Sequence, residues 1–566
     1  MPAAMGVFSM QMTGGEALAQ QLAREGIKDV FGIPGVQLDY AVDGLRQAGN
    51  EIRFVVPRHE QTAAYMADGY ARTTGRIGTC MVVPGPGLLN ATAGLATAYA
   101  CNSPVLAIVG TIHSAAIGRS YGLLHEIKNQ SGVLAAVTKW NALARSPQAV
   151  PGLVRQAVAQ LHQGRKRPVG IEIPPDVLSA RAEIDLVPVP QDQDQRLRPN
   201  PAAIERAAAL LDQSRFPVVY AGGGVLAAGA AAALQSFAEL VQAPVVMSEN
   251  GRGALSDRHP LALNAVGGRA VFAHADVVLV VGSRFSDTST GASAWAVKGP
   301  RYIYVNLDPN VWAPPRTAEV AIEADACLAL AALSAAVARR AAPAADLDRV
   351  RDWARRQADS VEPIASWVRH LRAAIPDDGI LVTELTQIGY FARANYPVFA
   401  PGTLITCGYQ GTLGYGFPTA LGAALGNPGR TVVSITGDGG FGWAMQELAT
   451  ARKYGLGLTV VVFADGRFGN VHAAMSEKFG TSYGVDLANP KFDRLAAAFD
   501  VGFARARSPA DLQRILLRHA ASGGPLLIEA PVGEMPSPWA LTRLDGRGAA
   551  GPPNPLGEPT GGRVGS

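Results

Sequence analysis

Two aspartates at the ends of apolar runs are the first residues of this sequence whose positions suggest chemistry. Asp438 follows the run 431–437, and Asp465 follows a second apolar run twenty-seven positions later. Adjacent parallel strands end at the same edge of a sheet, so we expect the two carboxylates to lie close together. Such a pair suits a hard octahedral cation, Mg2+, that also ligates a diphosphate. The alternative, a glycine turn with a helix-capping aspartate, is disfavoured by the spacing to Asp465.

Glycines surround the first aspartate, at Gly437, Gly439 and Gly440. The segment 441–454 that follows carries apolar side chains on one face, which predicts a single helix. Its free N-terminal amides would point at the turn and favour an anion there.

A glutamate in the first part of the chain is an independent candidate. Glu60 lies at a predicted strand-to-helix junction, within the run Arg58-His59-Glu60. By itself it could simply complement the dipole of the helix that follows.

These motifs together resemble those of the acetohydroxyacid synthase and pyruvate oxidase family of thiamine diphosphate enzymes, and the resemblance covers nearly the whole chain. It implies thiamine diphosphate and Mg2+ as cofactors. It also implies that Asp438 and Asp465 are side-chain metal ligands and that Arg467 lends a main-chain carbonyl. Glu60 would be the catalytic glutamate that hydrogen-bonds the aminopyrimidine ring. The family often has Asn-Asn where this chain has Ala464-Asp465.

The resemblance assigns further cofactor residues. Leu413 would be the bulky, catalytically important side chain that holds the cofactor bent, with a core leucine as the alternative. Asn90 would line the pocket or, with equal weight, only cap a helix. The full cofactor-binding set is Pro34, Gly35, Gly85, Asn90, Thr386, Gln387, Gly411, Leu413, Gly437, Asp438, Gly439 and Gly440.

The substrate pocket is where the sequence departs from its relatives. Thr111 stands where synthases usually have Gln, and Ala474 stands where several have Trp, which would open the pocket. His113 and His125 are candidate substrate ligands or proton shuttles, although a lone histidine is often an ordinary surface or core residue. Val36 completes the predicted pocket.

The elements that position these residues follow from alternating strand-like and Ala-rich helical stretches. They predict an α/β protein of three doubly wound domains with mainly parallel sheets. The predicted boundaries are 1–186 for a pyrimidine-binding domain, 187–200 for a linker, 201–340 for a Rossmann-like middle domain, 341–363 for a second linker, 364–532 for a diphosphate-binding domain and 533–566 for a Gly/Pro-rich tail.

Composition excludes several classes of protein. Fifty Lys and Arg against 46 Asp and Glu give a net charge of +4 without a basic run, so nucleic-acid binding has no support. The longest apolar runs are too short to cross a bilayer, and the N-terminus does not resemble a secretory signal. We expect a cytoplasmic protein whose four cysteines form neither a disulfide framework nor a zinc site.

The resemblance implies an acetolactate-synthase-like carboligase acting on 2-oxo acids or 2-hydroxy ketones, assembled as a homodimer or homotetramer with sites at the dimer interface. Two alternatives stay open on the same scaffold, a 2-oxo acid decarboxylase and a flavin-linked oxidoreductase. Ala221-Gly222-Gly223-Gly224 is a weak dinucleotide signal. Some family members bind FAD in the middle domain and others bind nothing there, so FAD also stays open.

Overall fold

A computed structural model describes residues 10–190, 196–285, 299–312, 316–519, 523–542 and 553–557. The predicted tail 533–566 therefore lies outside the described residues at 543–552 and 558–566, and the predicted linker 187–200 does so at 191–195. Among the described residues, no helix is both long enough and apolar enough to cross a membrane.

The first domain is built on a parallel sheet of order β3-β2-β4-β5-β7-β6, beside a short antiparallel β1-β8 pair. Its strands are β1 (Met10–Thr13), β2 (Asp29–Gly32), β3 (Arg53–Val55), β4 (Gly78–Val82), β5 (Val105–Gly110), β6 (Trp140–Leu143), β7 (Val169–Ile173) and β8 (Arg181–Ile184). Its helices are α1 (Gly14–Arg24), α2 (Asp39–Gln47), α3 (Glu60–Thr74), α4 (Pro86–Cys101), α5 (Gln130–Val137), α6 (Ala149–His162) and α7 (Pro175–Ser179).

The middle domain has a parallel sheet of order β11-β10-β9-β12-β13-β14. Its strands are β9 (Pro217–Ala221), β10 (Val245–Met247), β11 (Ala262–Leu263), β12 (Val277–Val281), β13 (Arg301–Asn306) and β14 (Val320–Glu323). Its helices are α8 (Pro201–Gln213), α9 (Gly223–Ala227), α10 (Ala231–Val241), α11 (Ala265–Phe272) and α12 (Ala326–Ala336).

The third domain has a parallel sheet of order β16-β15-β17-β18-β20-β19. Its strands are β15 (Ile380–Thr383), β16 (Leu404–Ile405), β17 (Val432–Gly437), β18 (Leu458–Ala464), β19 (Gly502–Arg505) and β20 (Leu526–Pro531). The helices from the second linker onward are α13 (Leu347–Asp359), α14 (Ile364–Ala374), α15 (Gln387–Asn395), α16 (Gly416–Gly426), α17 (Asp438–Gly442), α18 (Leu448–Lys453), α19 (Gly469–Phe479), α20 (Phe492–Ala498), α21 (Pro509–His519) and α22 (Trp539–Thr542).

The predicted fold class is confirmed. Strands such as β12 and β18 are continuous apolar runs because helices cover both faces of a parallel sheet and bury every side chain between them. Helix α3 packs closely against α16, so the first and third domains share one apolar core.

The prediction of one helix over 441–454 is wrong. Helix α17 ends at Gly442, a 3-10 turn spans Met445–Glu447, and α18 then begins. Gly442 lies at this break, and because glycine is a poor helix former it favours the end of α17 there.

Candidate active site

The two predicted aspartates lie side by side at the carboxyl edge of the third sheet. Strands β17 and β18 are parallel neighbours, with Gly437 opposite Phe463, so Asp438 and Asp465 follow adjacent strand ends. The expected adjacency is therefore confirmed. Burial, and after it the charge of Asp438, raises the pKa of Asp465.

Asp438 is held in one orientation by hydrogen bonds. Its Oδ1 accepts from the Gly439 amide at 2.9 Å, and its Oδ2 accepts from the Gly466 amide at 2.8 Å. The side chain of Asn489 donates to Oδ2 at 2.6 Å. No sequence pattern pointed to Asn489, because its contact joins a loop to the start of α17, fifty-one positions away, without any characteristic spacing.

The donor set at this edge suits a hard cation. Asp465 Oδ1 accepts from the Arg467 amide at 3.3 Å, which brings the main chain of Arg467 beside the carboxylates. No three His, Cys, Asp or Glu side chains converge on one point in the described part of the chain. Two carboxylates and one carbonyl do not require such a cluster, and oxygen ligands are those that Mg2+ prefers.

The end of β15 contributes the predicted diphosphate contacts. Thr386 caps α15 and accepts a hydrogen bond from the Gly389 amide at 2.8 Å. Gln387 is buried, and its side-chain oxygen has no partner among the described residues. A buried amide oxygen without a donor is unusual, and this acceptor fits a site that receives a hydrogen-bond donor.

The cofactor loop, residues 408–416, is shaped by glycines with positive φ. Gly411 has a φ of 58° and Gly414 a φ of 73°, a region that other residues rarely adopt. Between them, Leu413 is half-buried and belongs to none of the apolar core clusters of the described residues. The alternative of an ordinary core leucine is therefore disfavoured.

Two buried glutamates were missed by the sequence analysis. Glu384 accepts hydrogen bonds from the cofactor loop. Glu447 accepts from the amide of Arg58 at 3.1 Å and so supports the run that carries Glu60. Burial raises the pKa of both carboxyl groups. A single glutamate inside an apolar stretch has no spacing signature that could have revealed either one.

The predicted residues of the first domain follow the carboxyl ends of strands β2 to β5. Glu60 is the first residue of α3 and is half-buried. Asn90 donates to Glu60 Oε2 at 3.0 Å. Asn90 lies inside α4, whose N-cap is Gly85, so the alternative that Asn90 is a helix cap is wrong.

Gly85 and His125 are packed against each other. Both have positive φ, 57° and 67°, and a Cβ on Gly85 would lie 2.4 Å from the His125 carbonyl oxygen. His125 Nδ1 lies 3.2 Å from Gln37 Oε1, and Gln37 Nε2 donates to the Leu124 carbonyl. Gln37 is a further residue that the sequence analysis missed.

The remaining pocket candidates differ in exposure. Thr111 is buried, whereas His113 is exposed and begins a short 3-10 helix. Val36 is 65% exposed, and Ala474 is exposed on α19. Near Val36, Pro34 is exposed, and Gly35 lies close enough to Val83 that a Cβ would be 2.5 Å from its side chain.

The two groups of predicted residues make no direct polar contact within the described part of one chain, although Tyr65 of α3 and Thr412, beside Leu413, are hydrogen-bonded at 2.8 Å. In the described residues, no hydrogen bond or ion pair connects Glu60 or His125 with Leu413, Asp438 or Asp465.

Comparison with known proteins matches all three domains. The models for the thiamine pyrophosphate enzyme N-terminal TPP binding domain, central domain and C-terminal TPP binding domain match residues 12–133, 204–333 and 385–530. The acetolactate synthase of Arthrospira platensis is 32% identical, over 92% of this chain and 94% of its own length. The chain belongs to the thiamine diphosphate enzymes of the acetolactate synthase family.

Other relatives of this thiamine diphosphate enzyme bear two kinds of name. Acetolactate synthase isozyme 1 large subunit of Escherichia coli is 31% identical, over 92% of this chain and 94% of its own length. The probable 2-ketoarginine decarboxylase of Pseudomonas aeruginosa is 36% identical over the same shares. When bound, thiamine diphosphate supplies an electron sink for a carbanion next to a former carbonyl.

Proposed function

We propose that this thiamine diphosphate enzyme is a Mg2+-dependent carboligase of the acetolactate synthase type. It would take the acyl unit of a 2-oxo acid or 2-hydroxy ketone and join it to a second carbonyl compound. The observation that most supports the Mg2+ site is the pair Asp438 and Asp465 at adjacent strand ends beside the glycine turn, and the acetolactate synthase relatives support the carboligase activity.

The proposed roles follow the geometry. Asp438, Asp465 and the carbonyl of Arg467 would hold Mg2+. The diphosphate would lie against Thr386, Gln387 and the turn 437–440, and Leu413 would support the cofactor rings. Glu60, oriented by Asn90, would exchange the proton that activates the cofactor. Pro34, Gly35, Gly85 and Gly411 would contact the cofactor, and Val36, Thr111, His113, His125 and Ala474 would line the substrate pocket.

A decarboxylase is the second candidate. The relative named a probable 2-ketoarginine decarboxylase supports it, since that protein is 36% identical over 92% of this chain. If no second carbonyl compound accepted the acyl unit, the 2-oxo acid would lose CO2, take up a proton at the former carbonyl carbon and leave as an aldehyde.

The experiment compares wild type with Glu60→Gln, both loaded with thiamine diphosphate and MgCl2. Each is incubated with a panel of 2-oxo acids, including one with a guanidinium side chain, and all products are identified by mass. We expect loss of a 2-oxo acid, release of CO2 and a longer hydroxy product. Glu60→Gln should lower turnover at least ~100-fold, because its amide cannot exchange the proton.

Glu205→Gln is the matched control, since Glu205 is exposed on α8 in the middle domain. It should retain wild-type turnover. An aldehyde in place of the longer product would favour the decarboxylase, and an unconsumed panel would contradict both candidates.

We propose that two copies of the chain form each complete site, as a homodimer or a pair of dimers. Exposed apolar side chains surround the predicted site residues in both domains. They are Val36, Leu89, Tyr121 and Leu124 in the first domain and Trp443, Val471, Phe479 and Tyr483 in the third. Large exposed apolar patches commonly mark protein interfaces.

A cavity of about 1040 Å3 between the three domains could hold a nucleotide such as FAD. Gly223, Gly224 and Arg284 line it from the middle domain, and Arg165 and Lys166 from the first. Closely packed glycines and basic side chains suit phosphate groups. The visible absorbance of the purified protein tests for flavin, and turnover that needs an electron acceptor would favour the oxidoreductase alternative.

We also propose the domain boundaries stated above and a cytoplasmic location. Helix α13 occupies much of the segment 341–363 between the second and third domains.

A further inference from the structure

Glu384, directly after β15, is a buried carboxylate that the proposed mechanism does not use. It is 1% exposed, and no Lys, Arg or His forms an ion pair with it in the described ranges. Burial raises its pKa, and its hydrogen-bond donors oppose that shift. Buried carboxylates without a cationic partner are rare. The groups that donate hydrogen bonds to Glu384 therefore indicate its role.

Every partner of this carboxylate is a donor from a segment of the predicted cofactor site. The amides of Gly414 and Gly416 donate at 2.6 and 3.1 Å, and Gly414 directly follows Leu413 in the predicted cofactor loop. The hydroxyl of Thr436 donates at 2.8 Å from the end of β17. One carboxylate thereby joins three segments that approach the cofactor.

The position of the Glu384 carboxylate explains why two separate motifs need glycine at positions 416 and 440. A Cβ on Gly416 would lie 2.9 Å from Glu384 Oε2, and a Cβ on Gly440 would lie 2.1 Å from Oε1. The helix that begins at Asp438 can therefore approach Glu384 only with glycine at position 440. The glycine-rich loop and the Gly-Asp-Gly-Gly turn are packed against one side chain.

We propose that Glu384 is a positioning residue that holds the cofactor loop and the turn 437–440 in the arrangement that binds thiamine diphosphate. This rests on the cofactor roles proposed for Leu413 and Gly440 and on no particular substrate.

The test measures the dissociation constant of thiamine diphosphate at saturating MgCl2 for wild type and Glu384→Gln. Trp443 is a local reporter, because its Cβ lies 2.6 Å from the position of a Cβ on Gly414, and Trp443→Phe assigns its fluorescence. In Glu384→Gln, the NH2 group of the new side chain would face one of the backbone N–H groups of Gly414 and Gly416, and two donors cannot hydrogen-bond to each other. We expect the dissociation constant to rise about tenfold or more, since hydrogen bonds to charged groups are strong.

A positioning role predicts a pattern that a loss of folding stability alone would not produce. A positioning role raises the cofactor concentration needed for half-maximal activity while leaving the KM for substrate near wild type once the cofactor is saturating. Glu205→Gln, outside the site, should bind the cofactor as wild type does. An unchanged dissociation constant in Glu384→Gln would overturn the proposal.

Thr436 provides a second test if Glu384→Gln does not fold. Thr436→Ser keeps the hydroxyl donor and Thr436→Val removes it, so the valine variant should bind thiamine diphosphate about threefold or more weakly than the serine variant. Equal affinities would overturn the proposal. A wild type that binds the cofactor but consumes no 2-oxo acid would contradict the proposed function and leave this inference intact.

Discussion

At the scale of single residues, the proposed metal site carries two neighbouring carboxylates, Asp438 and Asp465. Burial, and after it the charge of Asp438, raises the pKa of Asp465. Two neighbouring carboxylates destabilise each other unless a cation lies between them. The site should therefore depend on its metal more strongly than a site with one carboxylate.

Asp465→Asn and Asp438→Ala test that charge as a pair. Asp465→Asn keeps an oxygen ligand but removes one of the two negative charges that attract the cation. The variant should therefore still bind thiamine diphosphate, but it should need about tenfold more Mg2+ for half-maximal binding. Asp438→Ala removes a ligand and the acceptor of the Gly466 amide, and it should lose measurable cofactor binding. The measurement is a titration of thiamine diphosphate binding with MgCl2. Unchanged binding in Asp438→Ala would contradict the metal assignment.

At the scale of elements, the start of α4 and the loop that carries His125 are fitted to each other. Gly85 caps α4 with a φ of 57°, and the His125 carbonyl occupies the space that a Cβ would need. Gln37, in the loop after β2, then fixes the His125 ring. Three loops, which follow β2, β4 and β5, thus meet where we propose the wall of the substrate pocket.

Gly85→Ala should disturb this wall. Any residue other than glycine that is forced to positive φ carries backbone strain of about 1–3 kcal/mol. The collision with the His125 carbonyl, in contrast, occurs only at position 85. Gly229→Ala is the control, because Gly229 has a φ of 63° and no neighbour within 4 Å of a Cβ. Both should lower the melting temperature, and only Gly85→Ala should also lower kcat/KM, by about tenfold. Equal kcat/KM values in the two variants would contradict the assignment of His125 to the substrate pocket.

Sequence patterns predicted the strand ends of the candidate site but not its long-range polar contacts. Buried parallel strands are continuous apolar runs, so the strand ends that carry Asp438, Asp465 and Glu60 were predictable. The contacts of Glu384 and Gln37 were not, because each links segments far apart in the chain through one polar side chain. The helix predicted over 441–454 is interrupted after Gly442, because apolar periodicity does not register the low helix propensity of glycine.

At the scale of the whole molecule, the site is divided between two domains. Glu60 begins α3 in the first domain and Asp438 begins α17 in the third, and no hydrogen bond or ion pair joins them in the described residues of one chain. Exposed apolar side chains lie around both. A second copy that covers these surfaces would bring Glu60 of one protomer to the diphosphate site of its partner.

Mixing two inactive variants tests that arrangement directly. In a mixed dimer of Glu60→Gln and Asp438→Ala, one site receives both altered residues and the other receives neither, so one of its two sites should work. Random exchange of subunits makes half of the dimers mixed, and the mixture should recover about a quarter of wild-type activity. Each variant alone should stay inactive at every concentration. If each site were contained within one chain, no mixed dimer would hold a competent site, and the mixture would remain as inactive as its components.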